Sequence, residues 1–175
     1  FMGGEFGQFE EWYEGKSLNW FLLDQYDHHR STHRFVKDLN HLYLTEKACW
    51  QDDFRGGGFE WINCDDAERS VISFFRRGEK KRRSKADQET KGPIYEFLVF
   101  ICNFTPVPHL DYRVGVPVPG KYTEILNSDD EKYGGSGIIN PGTLKTEAYL
   151  CDNRPDSIPI KLPPLGVVVL KGRMG

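Results

Sequence analysis

The chain has 175 residues and a formal net charge of -3, so it lacks the strong positive charge of a general nucleic-acid-binding protein. Its longest apolar run, within residues 94–108, is too short to span a membrane, which takes roughly 20 apolar residues. Aromatic residues make up 14% of the chain, which allows contact with sugar rings, although filling the core of a β domain is their commoner role.

Four widely spaced cysteines, Cys49, Cys64, Cys102 and Cys151, form no C-x-x-C pair. This spacing does not resemble a zinc site, and a chain of this size does not need a framework of disulfides. We therefore expect buried free thiols in a reducing compartment and a cytoplasmic protein.

Residues 1–8 (FMGGEFGQ) are rich in glycine and lack the pattern of a signal peptide. Their composition is typical of the interior of a longer protein. Glycines allow sharp turns, and Glu5 and Gln8 could then line a cleft at the carboxyl end of a strand, where barrel enzymes place their chemistry. An ordinary glycine-rich turn explains these residues equally well. Trp12 and Trp20 follow in a polar stretch that we interpret as a loop pinned by its rings.

Residues 30–48 carry the one strong helical pattern of the chain. Its apolar stripe recurs at helical spacing and consists of Phe35, Val36, Leu39, Leu42 and Tyr43. The preceding His28-His29 pair raises the possibility of a metal site, but a further ligand at suitable spacing is lacking, and we place the pair at the start of the helix. Because the rest of the chain has the texture of β structure, we expect the stripe to pack on a preceding part of a larger parent.

Gly56-Gly57-Gly58 marks the predicted domain boundary, after which short strand patterns recur between turn residues. The predicted strands are 59–62, 70–76, 97–104, 112–116, 121–126, 144–151 and 166–170. The run 97–104 is continuous, β-branched and aromatic, and Pro106 and Pro108 follow it, so it predicts a central strand buried on both faces. The sequence therefore predicts a mainly β fold, an antiparallel β-sandwich preceded by a helical segment.

Two loops separate these strands. Residues 76–92 carry eight basic and three acidic side chains without interleaved aromatics, which favours a solvated hairpin insert over a single-strand nucleic-acid site. Residues 127–141 lack the G-K-[ST] ending of a phosphate-binding loop, and we predict an omega-like loop with Tyr133 packed inward.

No catalytic constellation is evident in the sequence. A glycosidase needs two carboxylates flanking one bond, and the candidates by residue type alone are Glu5, Glu10, Glu11 and Glu14. No G-x-S-x-G motif occurs. We assign no catalytic residue, no metal ligand and no cofactor.

Several motifs, in register along nearly the whole chain, resemble bacterial 1,4-α-glucan (glycogen) branching enzymes of the alpha-amylase superfamily. Those that carry the resemblance are FMGGEFGQ (1–8), SLNW (17–20), GFEWI (58–62), NFTP (103–106), YRVGVP (112–117), YGGS (133–136) and LPPL (162–165). The early motifs are similar to the end of the catalytic barrel, and the later ones to the C-terminal β domain. Two departures are a longer basic insert at 79–91 and Gly4, where an asparagine or serine is also common.

The resemblance implies a parent with a (β/α)8 barrel and an all-β C-terminal domain, which cleaves α-1,4-glucan and rejoins it through an α-1,6 bond by a retaining double displacement. Its reactive carboxylates would lie in barrel segments upstream of Phe1. Residues 1–50 would then be the last barrel strand and the helix after it, 51–58 a linker, and 59–175 the C-terminal domain.

This resemblance implies that the chain alone is inactive and stabilises its own N-terminal catalytic barrel, the expected partner together with α-glucan. The candidate glucan contacts, at the edge of the barrel cleft, are Glu5, Gln8, Trp12 and Trp20. An alternative interpretation is an independent carbohydrate-binding β-sandwich module.

Overall fold

A computed structural model describes residues 1–54, 56–79 and 94–173. The helices are α1 (Phe21–Gln25) and α2 (Asp27–Thr45), and short 3-10 turns occupy Gly4–Phe6, Lys47–Cys49 and Glu131–Tyr133. The strands are β1 (Phe59–Asp66), β2 (Val71–Glu79), β3 (Tyr95–Asn103), β4 (His109–Gly115), β5 (Lys121–Asn127), β6 (Leu144–Lys145), β7 (Ser157–Leu162) and β8 (Val167–Arg173). None of the described helices is long and apolar enough to cross a membrane.

The strands form two antiparallel sheets, as the sequence predicts. The larger has the order β1-β2-β3-β8-β5-β6, and the smaller pairs β4 with β7. Buried side chains of β3, among them Phe97, Val99 and Ile101, belong to one apolar cluster with Val114 of β4 and Ile158 of β7. The core therefore lies between the two sheets, and the predicted sandwich is confirmed.

Strand β3 is central and covered on both faces, as predicted. It pairs with β2 on one side and with β8 on the other. Val99 is fully buried in the core between the sheets, whereas Leu98, on the opposite face, is fully buried in a second cluster with Leu42 of α2. Burying each such side chain stabilises the fold by roughly 1.5–3 kcal/mol.

Asn103 ends β3 and fixes the exit of the chain. Its side-chain Nδ2 donates to the carbonyl oxygens of Val107 at 2.8 Å and Pro163 at 2.9 Å. Its Oδ1 accepts from the backbone N–H of Thr105 at 3.0 Å. Strand pairing thus stops before the two prolines, and one amide side chain satisfies backbone groups that leave the sheet.

The predicted strand over 144–151 is wrong beyond its first two residues. Only Leu144–Lys145 pair with β5, and the chain then turns at Cys151–Arg154, where Asp152 and Asn153 have φ of 53° and 57°. Alternating apolar residues suggested a strand, but Leu150 is exposed. The side chain of Asp152 instead ties this turn to the sheets, because it accepts hydrogen bonds from Asn63 Nδ2 and from the Gly115 N–H, both at 2.8 Å.

Strand β7, Ser157–Leu162, was not among the predicted strands, and it contains Pro159. Among the strands that the structure describes, β7 has β4 as its single neighbour in the sheet, so it is an edge strand. Proline lacks an N–H, but on an edge strand that donor position can face away from the ladder without loss of a hydrogen bond.

Helix α2 packs on the larger sheet of this same chain, which corrects the expectation that its stripe needs a preceding part of the parent. Leu42 is buried against the sheet, and Phe35 makes an edge-on contact with Tyr133, their ring centroids 5.1 Å apart. Leu39 and Tyr43 of the predicted stripe stay exposed. The predicted inward packing of Tyr133 is confirmed, and its hydroxyl donates to Asp38 Oδ2 at 2.6 Å.

Residues 1–50 contain helices and 3-10 turns but, in this described segment, no strand. The barrel strand expected there is therefore not formed in this chain, since a barrel strand needs neighbours on both sides to pair with. The assignment of 1–50 to the end of a barrel, 51–58 to a linker and 59–175 to a C-terminal domain stays a prediction. The basic insert at 79–91 falls, apart from Glu79, outside the described residues.

Candidate functional site

The glycine-rich start of the chain forms a tight turn. Gly3 and Gly7 flank the 3-10 turn Gly4–Phe6 with φ of 78° and 70°, a left-handed conformation that favours glycine. A Cβ on Gly3 would also lie 2.9 Å from Gln8 Cβ. The turn is anchored by Phe6, which is fully buried and packs on Trp20 at a ring-centroid distance of 5.1 Å.

The structure gathers three of the four candidate residues around this turn. Glu5 lies on the turn, and Gln8 leaves it with its Nε2 donating to the Glu10 carbonyl at 2.8 Å. Gln8 Oε1 accepts from the backbone N–H of Asn19 at 2.9 Å, which brings the residue next to Trp20 into contact with it. Much of the hydrogen-bonding capacity of Gln8 is therefore used within the protein.

Trp12, the fourth candidate, is pinned differently. Its ring meets that of Phe1 edge-on with centroids 5.8 Å apart, whereas Trp20 packs on Phe6. Both tryptophans remain substantially exposed, Trp12 at 40% and Trp20 at 48%. The loop is thus pinned by rings, as the sequence indicates, with apolar surface left uncovered.

One carboxylate near the turn already has a cationic partner. Glu10 is committed to an ion pair with Lys16, whose hydrogen bond lowers the pKa of the Glu10 carboxyl. Among the described residues, no group of three or more histidine, cysteine or acidic side chains could hold a metal ion. The turn itself carries one carboxylate, Glu5, and the next residue, Phe6, packs on the exposed ring of Trp20.

Exposed aromatic side chains are concentrated in the first 26 residues, and we call them the N-terminal aromatic surface: Phe1, Phe9, Trp12, Tyr13, Trp20, Phe21 and Tyr26. A shallow cleft of about 400 Å³ lies beside the turn and is lined by Gly7, Phe9, Tyr26, His28, His29 and Thr32. Exposed apolar surface of this extent marks a site of interaction with another protein region or a ligand.

A second group of rings, missed from the sequence, lies across three strands of the larger sheet, on the face opposite the core. This aromatic patch consists of Phe59 and Trp61 on β1, Phe74 on β2 and Phe100 on β3. Phe74 and Phe100 stack with centroids 4.9 Å apart and an interplanar angle of 9°. The alternation of Phe59 and Trp61 along β1 could have indicated that both rings lie on one face. The sequence does not give the register between β1 and β2 that aligns them with Phe74.

Residues 61–173 match the family described as the alpha amylase C-terminal all-beta domain. The chain belongs to this family. The two sheets described above are accordingly an alpha amylase C-terminal domain, and the aromatic patch lies on the outer face of its larger sheet.

Similar proteins extend the match toward the N-terminus. Over 171 residues, or 98% of the chain, it is 47% identical to the 1,4-alpha-glucan branching enzyme GlgB of Synechococcus elongatus, covering 20% of that protein. The corresponding enzyme of Cellvibrio japonicus is 46% identical over the same share, with 21% of its length covered. GlgB 1 of Clostridium perfringens is 42% identical, with 23% covered.

The chain therefore spans about a fifth of the length of the curated relatives that it matches. It is similar to a portion of these 1,4-alpha-glucan branching enzymes, and this portion includes the C-terminal all-beta domain.

Proposed function

We propose that this chain is the C-terminal part of a branching enzyme that cleaves α-1,4-glucan and re-forms it as α-1,6 branches, and that its role is to stabilise the catalytic region. The observation that carries the proposal is the identity of 47% to a branching enzyme over 98% of the chain. Apart from Trp12 and Trp20, the N-terminal aromatic surface is the surface we assign to the barrel, because exposed rings at this density favour burial against another protein region.

We also propose that Glu5, Gln8, Trp12 and Trp20 lie at the edge of the barrel cleft and contact glucan there. A carboxylate can accept hydrogen bonds from sugar hydroxyls, and an indole ring can stack on the face of a pyranose. The turn that joins Glu5 to Trp20 through Phe6 supports this proposal, because it places an acceptor and an exposed ring near each other.

An assay of branching on amylose tests both proposals. The isolated chain is expected to form no α-1,6 linkages, because it would supply no reacting carboxylates, while the full-length protein forms them. In the full-length protein, Glu5→Gln is expected to raise KM about tenfold, since loss of a charged hydrogen bond costs about 1.5 kcal/mol. Glu68→Gln, at an exposed turn, is the matched control. Branching by the isolated chain would contradict the first proposal, and an unchanged KM for Glu5→Gln the second.

The free state of all four cysteines supports a cytoplasmic location, which we likewise propose. Burial raises the pKa of the Cys49 thiol to about 11, so this thiol stays protonated and unreactive at neutral pH. The expectation that all four would be buried is wrong: Cys49, Cys102 and Cys151 are partly buried, and Cys64 on β1 is exposed.

The aromatic patch favours a second candidate function, direct binding of glucan by the β domain. Trp61 is the largest exposed ring of the patch, and stacking on successive sugar rings needs such a platform on a rigid strand. In affinity electrophoresis through glycogen, the chain is expected to be retarded and Trp61→Ala to migrate freely. Trp50→Ala, an exposed tryptophan outside the patch, is the control. Equal mobility of the wild type in gels with and without glycogen would exclude this function.

A further inference from the structure

One hydrogen bond joins helix α2 to the turn at the start of the chain. His29, in the first turn of α2, has its ring Nδ1 2.7 Å from the carbonyl oxygen of Phe6. A carbonyl oxygen only accepts, so Nδ1 carries the hydrogen and donates it. The two partners are 23 residues apart in the sequence, and Phe6 directly follows Glu5.

The imidazole ring is held in place by two other rings. Phe9 meets it edge-on with centroids 4.9 Å apart and an interplanar angle of 86°. Tyr26, which precedes α2, meets it at 5.8 Å and 67°. The imidazole that donates to Phe6 is thus also in contact with two aromatic rings, which restrict its rotation.

Phe6 is in consequence fixed at two points, its ring by Trp20 and its carbonyl by His29. Glu5 precedes it in the same 3-10 turn, so the direction of the Glu5 side chain follows from the placement of Phe6. Gly7 follows with a positive φ, which lets the chain leave the turn toward Gln8.

We infer that His29 is a positioning residue for glucan binding, which holds the turn so that Glu5 faces the substrate. This inference rests on the proposed function, in which Glu5 contacts glucan. It also gives the His28-His29 pair a role other than metal binding: His29 donates to a backbone carbonyl, and its partners are aromatic rings. A group held within about 1 Å of its productive position matters for rate, and small displacements cost up to about 100-fold.

Three variants of the full-length protein test the inference. His29→Phe keeps an aromatic ring against Phe9 and Tyr26 but removes the donor. His29→Asn restores a donor at the same number of bonds from Cβ. His33→Phe, at an exposed histidine of the same helix, is the control.

The readouts are kcat and KM for amylose and the melting temperature. We expect His29→Phe to raise KM about tenfold, His29→Asn to stay within about threefold of the wild type, and His33→Phe to match the wild type. His29→Phe keeps the ring contacts and is expected to melt no lower than His29→Asn, so a higher KM in His29→Phe alone separates positioning from general stability.

The Glu5→Gln variant is measured in the same assay. It distinguishes failure of the inference about His29 from failure of the proposed glucan contact at Glu5. If Glu5→Gln raises KM but His29→Phe does not, or if His29→Asn is as impaired as His29→Phe, the inference is overturned and the proposed function stands. If Glu5→Gln leaves KM unchanged, the proposed glucan contact fails and the inference fails with it.

Discussion

Gly172→Ala adds a single methyl group, and this group is expected to destabilise the β domain strongly. A Cβ at this position would lie 2.2 Å from Cε1 of Tyr122, far inside van der Waals contact. Tyr122 pairs with Gly172 across β5 and β8, is fully buried, and donates its hydroxyl to the Val118 carbonyl at 2.8 Å. The ring therefore cannot move aside without breaking that bond or displacing the core.

Overpacking of this kind costs about 3 kcal/mol, and the melting temperature should fall by about 10 °C. Urea or thermal unfolding of the chain measures this directly. Gly4→Ala is the matched control, because no heavy atom lies within 4 Å of a Cβ there. Tyr122→Leu removes the ring, so Gly172→Ala should cost less in that background. Equal stability of Gly172→Ala and Gly4→Ala would show that the tyrosine does not cover the glycine.

Asp129→Asn is expected to destabilise the loop 127–141 by about 2 kcal/mol at neutral pH. The Asp129 carboxylate accepts from the Ser136 N–H at 2.9 Å, the Ser136 hydroxyl at 2.7 Å and the Ile138 N–H at 2.9 Å. The asparagine side chain has one oxygen, which can accept from only one of the two backbone N–H groups. The other N–H group would face the NH2 of the amide, which is itself a donor.

The effect of Asp129→Asn should depend on pH. Burial alone would raise the pKa of the Asp129 carboxyl, but the hydrogen bonds from Ser136 and Ile138 outweigh it, and the pKa lies below its usual range. Because the folded pKa is depressed, the carboxylate contributes its full stability above the unfolded pKa of about 3.9 and loses it as the pH falls through the folded value.

Urea unfolding at pH 7 and pH 3 measures this dependence. The difference between the wild type and Asp129→Asn should be largest at pH 7 and shrink at pH 3. Asp111→Asn, at an exposed aspartate of β4, should differ from the wild type by no more than about 0.5 kcal/mol at either pH. A difference that stays constant from pH 7 to pH 3 would mean that the charge of Asp129 is not what the loop uses.

The central strand was predictable because an unbroken apolar run has only one stable place in a small sandwich. Alternating residues of a strand need an apolar layer on each face. One layer buries Phe97, Val99 and Ile101, and the other buries Leu98. The end of β3 was predictable for a local reason, since Pro106 and Pro108 lack donors and Asn103 can bond the departing backbone.

Features that depend on tertiary position were not predictable. A proline such as Pro159 argues against a strand in the middle of a sheet. It is compatible with β7 because β7 has a single neighbour, which the sequence does not show. The alternation through Leu150 is indistinguishable from a strand until Asp152 is seen to hold a turn. Likewise, nothing in the pattern of α2 showed that Leu42 finds its partner on the sheet of the same chain.

The candidate site was partly predictable. Glycine placement indicated a turn with Glu5 and Gln8, and only the family resemblance grouped them with Trp12 and Trp20; in the structure Gln8 bonds the residue before Trp20, and Phe6 of the turn packs on Trp20. The role of His29 was hidden, because its partner Phe6 lies 23 residues away and is contacted through the backbone. A backbone acceptor leaves no trace in side-chain patterns.

We propose that the β domain stabilises the catalytic region without taking part in the chemistry. The most direct measurement is the half-life of branching activity at elevated temperature for the full-length protein with and without Gly172→Ala. We expect a shorter half-life for the variant, with kcat and KM unchanged at a temperature where it is folded. An unchanged half-life in a full-length variant whose β domain has melted would contradict the claim.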